Sequence, residues 1–371
     1  MVWAMVLHVY QQVDDFMSRH IGLVISDMGA GGAQRVVSEL SSGWVQQGHR
    51  VTIFTFDTPD ATSFFPLSSA VTLINLSGHG RAAGFISAIK ANIGRIIKLR
   101  RALKNSAPDI LLAFLPDMVF TAVMANGFSR PVIACERTNP AMYPTGLWRL
   151  VRDITYRLSD LIICQTQTAA DYFNMPHKTR VIPNPVPIPN ITGHSDIPVP
   201  ERRFIASLGR LSFEKGHDIL IRAFDLIAPD FPDIDLMIIG EGAEKDRLQA
   251  MCRYPERVLF AGVSQHPFPV LSKADIFVLP SRYEGFPNAL AEAMILGLPC
   301  VVSEGADGGL IADEQNGRIV PVEDSEFLST VLRSLLENPV QAKNLGDRAR
   351  AISSRVDPAH VSRLWDQVIS S

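Results

Sequence analysis

Short apolar runs alternate with segments of helical period from one end of the 371-residue chain to the other, and this alternation leaves few folds open. Residues 21–26, 51–56, 110–115, 132–135 and 161–164 read as strands buried on both faces, the first followed by a helix running to Gln47. Strands of that kind, joined by helical crossovers, predict a parallel, doubly wound sheet. The pattern breaks once, over 183–203, where six prolines stand and no helical period survives, so the chain is expected to change domain there. A second series follows, with strands at 204–208, 236–239, 258–260, 276–279 and 300–302 and helices at 217–228, 244–252 and 288–296. The expected organisation is an extension over 1–20, a first Rossmann-like domain over 21–185, a linker over 186–202 and a second such domain over 203–355. A last helix over 356–371 would cross back to the first domain, and two wound sheets in tandem would leave a cleft between them.

The stretch from Ala274 to Met294 organises the second half. A strand ends at Leu279, a loop punctuated by Pro280, Gly285 and Pro287 follows, and a helix carries Leu290, Ala293 and Met294 on one side. Such a loop opens at the carboxyl end of the sheet, where open α/β folds bind ligands. Pro287 suits a first-turn position and Asn288 a capping one, and the free amides and dipole of the helix would face an anion. Glu284 in the loop and Glu292 one turn into the helix would flank one small volume. The segment Gly209-Arg-Leu-Ser-Phe-Glu-Lys-Gly216 reaches the same edge, and its Arg210 fork and Lys215 point charge suit diphosphate oxygens. Two solvated loop cations are the plain alternative, and the shared edge favours the anion site.

Other features carry less. Gly29-Ala-Gly-Gly32 between the first strand and helix lets a ligand approach the backbone. It nearly matches a dinucleotide fingerprint, but Gln34 replaces the last small residue and Asp57 falls late for the ribose-binding acid, which weakens an NAD-dependent oxidoreductase. Asp233 and Asp235 bracket one residue, yet they precede a strand at the opposite edge and read as structural rather than metal-binding. Glu136 and Arg137 end the 132–135 strand and would look into the cleft from the first domain, either toward an acceptor or as a local ion pair.

A net charge of −3 gives no drive toward nucleic acid, and 47% apolar with 20% charged residues excludes disordered and fibrous classes. Four scattered cysteines without a CxxC pair suit a reducing compartment. Charge is local instead. From 61 to 108 no acidic residue occurs, while Arg81, Lys90, Arg95, Lys98, Arg100, Arg101 and Lys104 accompany Ile86, Ile89, Ile93, Ile96, Ile97 and Leu103. A basic amphipathic helix over 86–104 would either dock on anionic lipid or present a solvated basic face. Residues 147–157, with Trp148 as an interface anchor, offer a second such helix. Residues 1–10 are apolar, too short to span a bilayer and without a basic leader region, so 1–16 are expected to be an extension with Met17 as an alternative start.

With Glu284-x7-Glu292, Arg210-x4-Lys215 and Gly31-Gly32 in view, the chain resembles the retaining glycosyltransferases of family 4, which have the GT-B fold of two facing Rossmann-like domains. The resemblance runs from Ile21 to the end and is strongest from Phe204 to Val322. It implies that Arg210 and Lys215 bind the diphosphate of a nucleotide sugar and that Glu292 holds the ribose hydroxyls. Glu284 would meet the transferred sugar beside the Gly285 and Phe286 amides, the backbone of 258–260 would meet the base, and Gly31 and Gly32 would close over the phosphates. It implies no metal or cofactor, and retention without an enzymic nucleophile, so Glu284 positions and stabilises charge. Cys135-Glu-Arg-Thr-Asn-Pro140, the basic segment and the Trp148 helix look like bacterial transferases that add a hexose or N-acetylhexosamine to lipid-linked oligosaccharides. A His is common in that group where Arg137 stands, and the 304–310 loop is shorter than the family's and lacks its Glu. The expectation is a cytoplasmic enzyme, peripheral on the inner face of the membrane, using a UDP-linked donor and a glycan or lipid-linked acceptor. The rivals are an NAD-dependent oxidoreductase and a non-catalytic sugar-nucleotide-binding protein.

Overall fold

The computed structural model describes residues 18–29, 31–78, 85–142 and 145–370, with side chains given from 89 onward in the second helix. The expected extension over 1–16 and Arg81 of the basic segment lie outside this description, as does the side chain of Ile86. The described chain forms two compact units, one running to Cys135 and taking in Leu150–Ile162, the other holding Glu136–Arg149 and everything from Ile163.

A seven-stranded sheet has the order β3-β2-β1-β4-β5-β6-β7. Its strands are β1 (His20–Val24), β2 (Arg50–Thr55), β3 (Thr72–Asn75), β4 (Ile110–Phe114), β5 (Val132–Cys135), β6 (Leu161–Cys164) and β7 (Thr179–Val181). β1 pairs parallel with β2 on one side and β4 on the other. Both β1 and β4 are buried along their whole length, β4 as an unbroken apolar run and β1 with His20 buried at its start.

The second sheet is parallel throughout, in the order β10-β9-β8-β11-β12-β13. Here β8 is Arg203–Leu208, β9 Ile234–Ile239, β10 Val258–Gly262, β11 Ile276–Leu279, β12 Cys300–Ser303 and β13 Arg318–Val320. Successive side chains sort to opposite faces, as strand geometry dictates. Phe204, Ala206, Phe277 and Leu279 pack with Leu290 and Met294 of the Asn288–Leu296 helix. Ile205, Ile276 and Val278 pack with Leu220 and Phe224 of the His217–Ile227 helix and with Leu332. Each of the larger side chains among these stabilises the fold by about 1.5–3 kcal/mol when fully buried, so the two layers clamp the sheet from both sides.

The strands absent from the sequence reading, β3, β7 and β13, are all sheet edges, short and partly exposed. Between β7 and β8 no helix or strand forms, as the prolines require. That segment is nonetheless tied down within the second unit. Val186 donates its amide to the Val356 carbonyl at 2.8 Å, and Ile197 is buried. The Asp196 carboxylate accepts from the Ser264 hydroxyl and from the Gln265 amide at 2.7 Å, which holds its pKa down at about 2. At the opposite edge from the ligand loops, Asp233 pairs with Arg203 and Asp235 with Arg202 and Arg257, all within 3.6 Å. Among the described residues no helix is long and apolar enough to cross a membrane.

Candidate active site

Strand order reverses in sequence between β8 and β11, which lie side by side with Ile205 against Ile276. The loops after these two strands therefore open together at the carboxyl edge, the usual ligand position in such sheets. After β8 the chain passes Gly209 and Arg210 into a three-residue turn, Phe213–Lys215, and then Gly216 with φ +66°. A Cβ on Gly216 would lie 2.1 Å from the Pro280 carbonyl oxygen, so the two loops meet backbone to backbone. That approach brings Lys215 Nζ to 2.6 Å from Glu284 Oε1. The same oxygen accepts from Ser281 Oγ at 2.7 Å, and the Ser281 carbonyl is in turn bonded by the Ser303 hydroxyl.

Arg210 is exposed. Burial pushes the Glu214 carboxyl up, but its bond from Ser212 and the charges of Lys215 and Arg210 carry it below the usual range. His217, the first helical residue after Gly216, is buried next to Gly209. Burial, and after it the Lys215 charge, pull its pKa down to about 4, so it is neutral at physiological pH.

The loop after β11 delivers Glu284, Gly285 and Phe286 to the start of the Asn288–Leu296 helix, with Glu292 buried one turn in. The helix N-cap is Pro287, and Asn288 makes no capping bond. This corrects the capping role expected of Asn288, and the physical reason is a distant partner. Its Oδ1 accepts from Asn184 Nδ2 at 3.0 Å, 104 positions away in sequence. Asn184 is buried between two prolines, and its own Oδ1 accepts from Arg137 Nη1 at 3.0 Å and Gln165 Nε2 at 2.5 Å. Gly308, with φ +58°, packs the 304–310 loop on Pro287.

Glu136 and Arg137 lie in the second unit rather than with the strand they follow. A Cβ on Gly285 would stand 2.4 Å from the Arg137 carbonyl oxygen, so the 136–138 turn backs directly onto the Glu284 loop. Glu136 Oε1 shapes that turn by accepting from the Arg137 amide at 2.9 Å and from the amide and hydroxyl of Thr138 at 2.8 and 2.7 Å. The Arg137 guanidinium lies 5.5 Å from the Trp365 ring centroid. Asn184, Gln165 and Trp365 were not legible as site residues, and the Asn between two prolines was the one local signal.

In the first unit, Gly31 is the extended N-cap of the Gly32–Gln46 helix. Asp27 Oδ1 closes the loop by accepting from the Gly29 amide at 2.9 Å and from Gln34 Nε2 at 3.0 Å. Asp57, the late acid of the fingerprint, accepts from the Met28 amide at 3.3 Å.

A doubly wound sheet with a paired Lys and Glu and an exposed Arg at its switch point is an arrangement able to hold an anion, and the comparisons give the family. Residues 194–352 match the model of glycosyl transferases group 1, and residues 30–188 that of glycosyltransferase family 4. The chain belongs to the family 4 glycosyltransferases. It is 26% identical over 287 residues, 72% of this chain and 78% of the other, to the N-acetylgalactosamine-N,N'-diacetylbacillosaminyl-diphospho-undecaprenol 4-alpha-N-acetylgalactosaminyltransferase of Campylobacter jejuni. A second Campylobacter jejuni enzyme, the GalNAc-alpha-(1->4)-GalNAc-alpha-(1->3)-diNAcBac-PP-undecaprenol alpha-1,4-N-acetyl-D-galactosaminyltransferase, is 23% identical over 94% of this chain and 98% of its own. The crystal structure of Anabaena HepE in complex with UDP and glucose superposes with a TM-score of 0.76 at 18% identity, covering 95% of this chain and all of that one. Two parallel α/β sheets of this kind are the GT-B architecture.

Proposed function

We propose that the protein transfers a hexose or N-acetylhexosamine from a UDP-linked donor to a glycan or lipid-linked oligosaccharide acceptor, with retention at the anomeric carbon. The observation that carries this reading is the Lys215–Glu284 pair, 2.6 Å long, formed where two loops meet beside Arg210 at the sheet's switch point. As the bond between sugar and diphosphate breaks, negative charge builds on the leaving oxygens. Arg210, Lys215 and the first amides of the Asn288–Leu296 helix are the groups that would stabilise it, and they do so without a metal. Glu284 orients the sugar hydroxyls beside the Gly285 and Phe286 amides, and Glu292 takes the ribose. Gly31 and Gly32 supply backbone amides to the phosphates, and the 136–138 turn meets the acceptor side.

The uridine donor is supported by the UDP complex of HepE, and the acceptor class by the diphospho-undecaprenol substrates in the names of the Campylobacter jejuni enzymes. We infer peripheral contact with the inner face of the cytoplasmic membrane, and the feature that prompts it is the Phe85–Ser106 helix. Its Leu99 and Leu103 are buried, while Ile89, Ile93 and Ile97 form an exposed row beside Lys90, Arg101 and Lys104. On anionic lipid each cation near the surface contributes about 1 kcal/mol.

A thermal-shift screen against UDP, GDP, ADP, NAD and a panel of nucleotide sugars tests this. At about 100 times its dissociation constant a ligand stabilises by about 2.7 kcal/mol. A shift with UDP species that vanishes in Lys215→Ala is expected. No shift with any nucleoside diphosphate, or a shift with NAD alone, overturns the reading.

A further inference from the structure

Arg282 stands two residues before Glu284, and its side chain is 9% exposed. Its guanidinium makes a two-pronged pair with Asp218, 3.0 Å on each arm, in the first turn of the His217–Ile227 helix. It also donates to the Phe213 carbonyl and lies 3.9 Å over the Phe213 ring. Its backbone amide donates to the Glu214 carbonyl at 2.8 Å. Glu323, beyond β13, accepts from Nε and, at 3.2 Å, from the Nη2 that also serves Asp218. Phe213 and Glu214 precede Lys215 in its turn and Asp218 follows it, so one residue grips the chain on both sides of Lys215 while belonging to the loop that carries Glu284.

We propose that Arg282 is a positioning residue for donor binding, which fixes Lys215 opposite Glu284 by clamping the 213–218 segment to the Glu284 loop. This rests on the reading of Lys215 as a diphosphate ligand. A planar fork stacked on an aromatic ring and paired to a carboxylate resists rotation as a single ammonium cannot, so charge alone would not reproduce the clamp. Without it, the turn that carries Lys215 is held to the Glu284 loop by backbone alone, through the Arg282 amide on the Glu214 carbonyl and Gly216 against Pro280, and the Lys215 side chain loses its fixed setting.

The test measures UDP affinity by calorimetry, well below the melting temperature, for the full-length protein and five variants. These are Arg282→Lys, Arg282→Gln, Lys215→Ala, the double Arg282→Lys with Lys215→Ala, and Arg257→Gln. Arg257 is a control of similar build at the opposite sheet edge, donating to the Ala228 and Phe231 carbonyls at 2.7 and 2.6 Å and lying 5.4 Å over the Phe224 ring. Lys215→Ala and both Arg282 variants should weaken UDP binding at least about tenfold, the loss of a charge-assisted bond. The double variant should bind no worse than Lys215→Ala alone, because a residue that acts through another adds nothing once that other is gone. Arg257→Gln should lower the melting temperature and leave UDP affinity unchanged. Wild-type affinity in Arg282→Lys, additive losses in the double, or an equal loss in Arg257→Gln each overturns the role. Wild-type affinity in Lys215→Ala removes the reading of Lys215 first, and the clamp with it.

Discussion

Each sheet is built outward from one strand, β1 in the first and β8 in the second, with the next strand on one side and a later strand on the other. The loops that follow these two strands are both rich in glycine, yet they are held by different means. The loop after β1 is tied by the carboxylates of Asp27 and Asp57 and by the Phe64 amide on the Met28 carbonyl, and a Cβ on Gly31 would meet the Gln34 side chain. The loop after β8 closes backbone on backbone. Added Cβ atoms at Gly216, Gly240 and Gly242 would lie 2.1, 2.0 and 2.1 Å from the carbonyl oxygens of Pro280, Gly209 and Leu211. A side chain can rotate away from an intruder and a buried backbone cannot, so the second loop has one geometry and the first has room to adjust. Charged groups whose separation matters belong on the rigid loop, and Arg210 and Lys215 are there, facing Glu284 on the β11 loop that it meets.

The largest effect that sharpens this contrast is on chemistry. Lys215→Ala should lower the transfer rate by about 10²–10³, as removal of a preorganised electrostatic group from a transition state does. Its stability cost should stay under about 1 kcal/mol, since the pair is partly exposed and Glu284 keeps its bond from Ser281. Steady-state kinetics beside a denaturant melt separates the two, and a large loss of stability at unchanged rate would make the pair structural.

Next comes Gly216→Ala. A residue with a Cβ pays about 1–2 kcal/mol in the left-handed region, and overpacking against the Pro280 carbonyl adds about 1–3 kcal/mol. A denaturant midpoint little different from wild type would show that the two loops can part, and the contrast with the first loop would lose its basis.

Much of this architecture was legible because parallel strands buried on both faces have no choice but to be apolar. β5, β6 and β11 were readable to the residue for that reason. Strands β3, β7 and β13 were not, since an edge strand needs one partner and one covered face, and Thr179–Val181 or Arg318–Val320 carries too few apolar residues to show a period. In the site, Arg210, Lys215 and Glu284 stood out because glycine and proline mark the loops that carry them. Arg282, Asn184 and Gln165 did not. Arg282 meets Asp218 64 positions away and Arg137 meets Asn184 47 away, distances at which no local rule operates. The capping expected of Asn288 failed for the same cause: a local preference yielded to a partner supplied by the fold.

A smaller effect probes the loop after β8 by pH. His217 is neutral in the folded second unit with a pKa of about 4, against about 6.5 in an unfolded chain. Its contribution is complete above pH 6.5 and is lost as pH falls toward 4, with a slope of up to about 1.4 kcal/mol per pH unit for one proton. His20 in the first unit is also lowered, by burial and then by Arg50, and adds a slope of the same sign. The informative quantity is therefore the difference between wild type and His217→Gln in denaturant melts from pH 7 to 5. The variant should be flatter, and equal slopes would mean that the imidazole is reached by water and that the loop after β8 is looser than its backbone contacts imply.

The smallest effect is expected at Gly31, and it tests the adaptable half of the comparison. An alanine Cβ there would sit 2.3 Å from Gln34 Oε1, the far end of a flexible side chain, and Gly31 has φ −160°, which any residue adopts. Gln34 can swing aside at the cost of its bond to Asp27 Oδ1, while Asp27 keeps the Gly29 amide. One neutral-to-charged hydrogen bond, at the low end of its range because the position is half-buried, sets the scale, so Gly31→Ala should cost about 1.5 kcal/mol or less. If the proposed role of this loop holds, the penalty should appear with ligand present, as a weaker UDP affinity from a methyl group placed where phosphate oxygens approach the backbone. A stability loss as large as that of Gly216→Ala would instead mean that the loop after β1 is as rigid as its counterpart, and that rigidity does not explain why the charged residues sit on the second sheet.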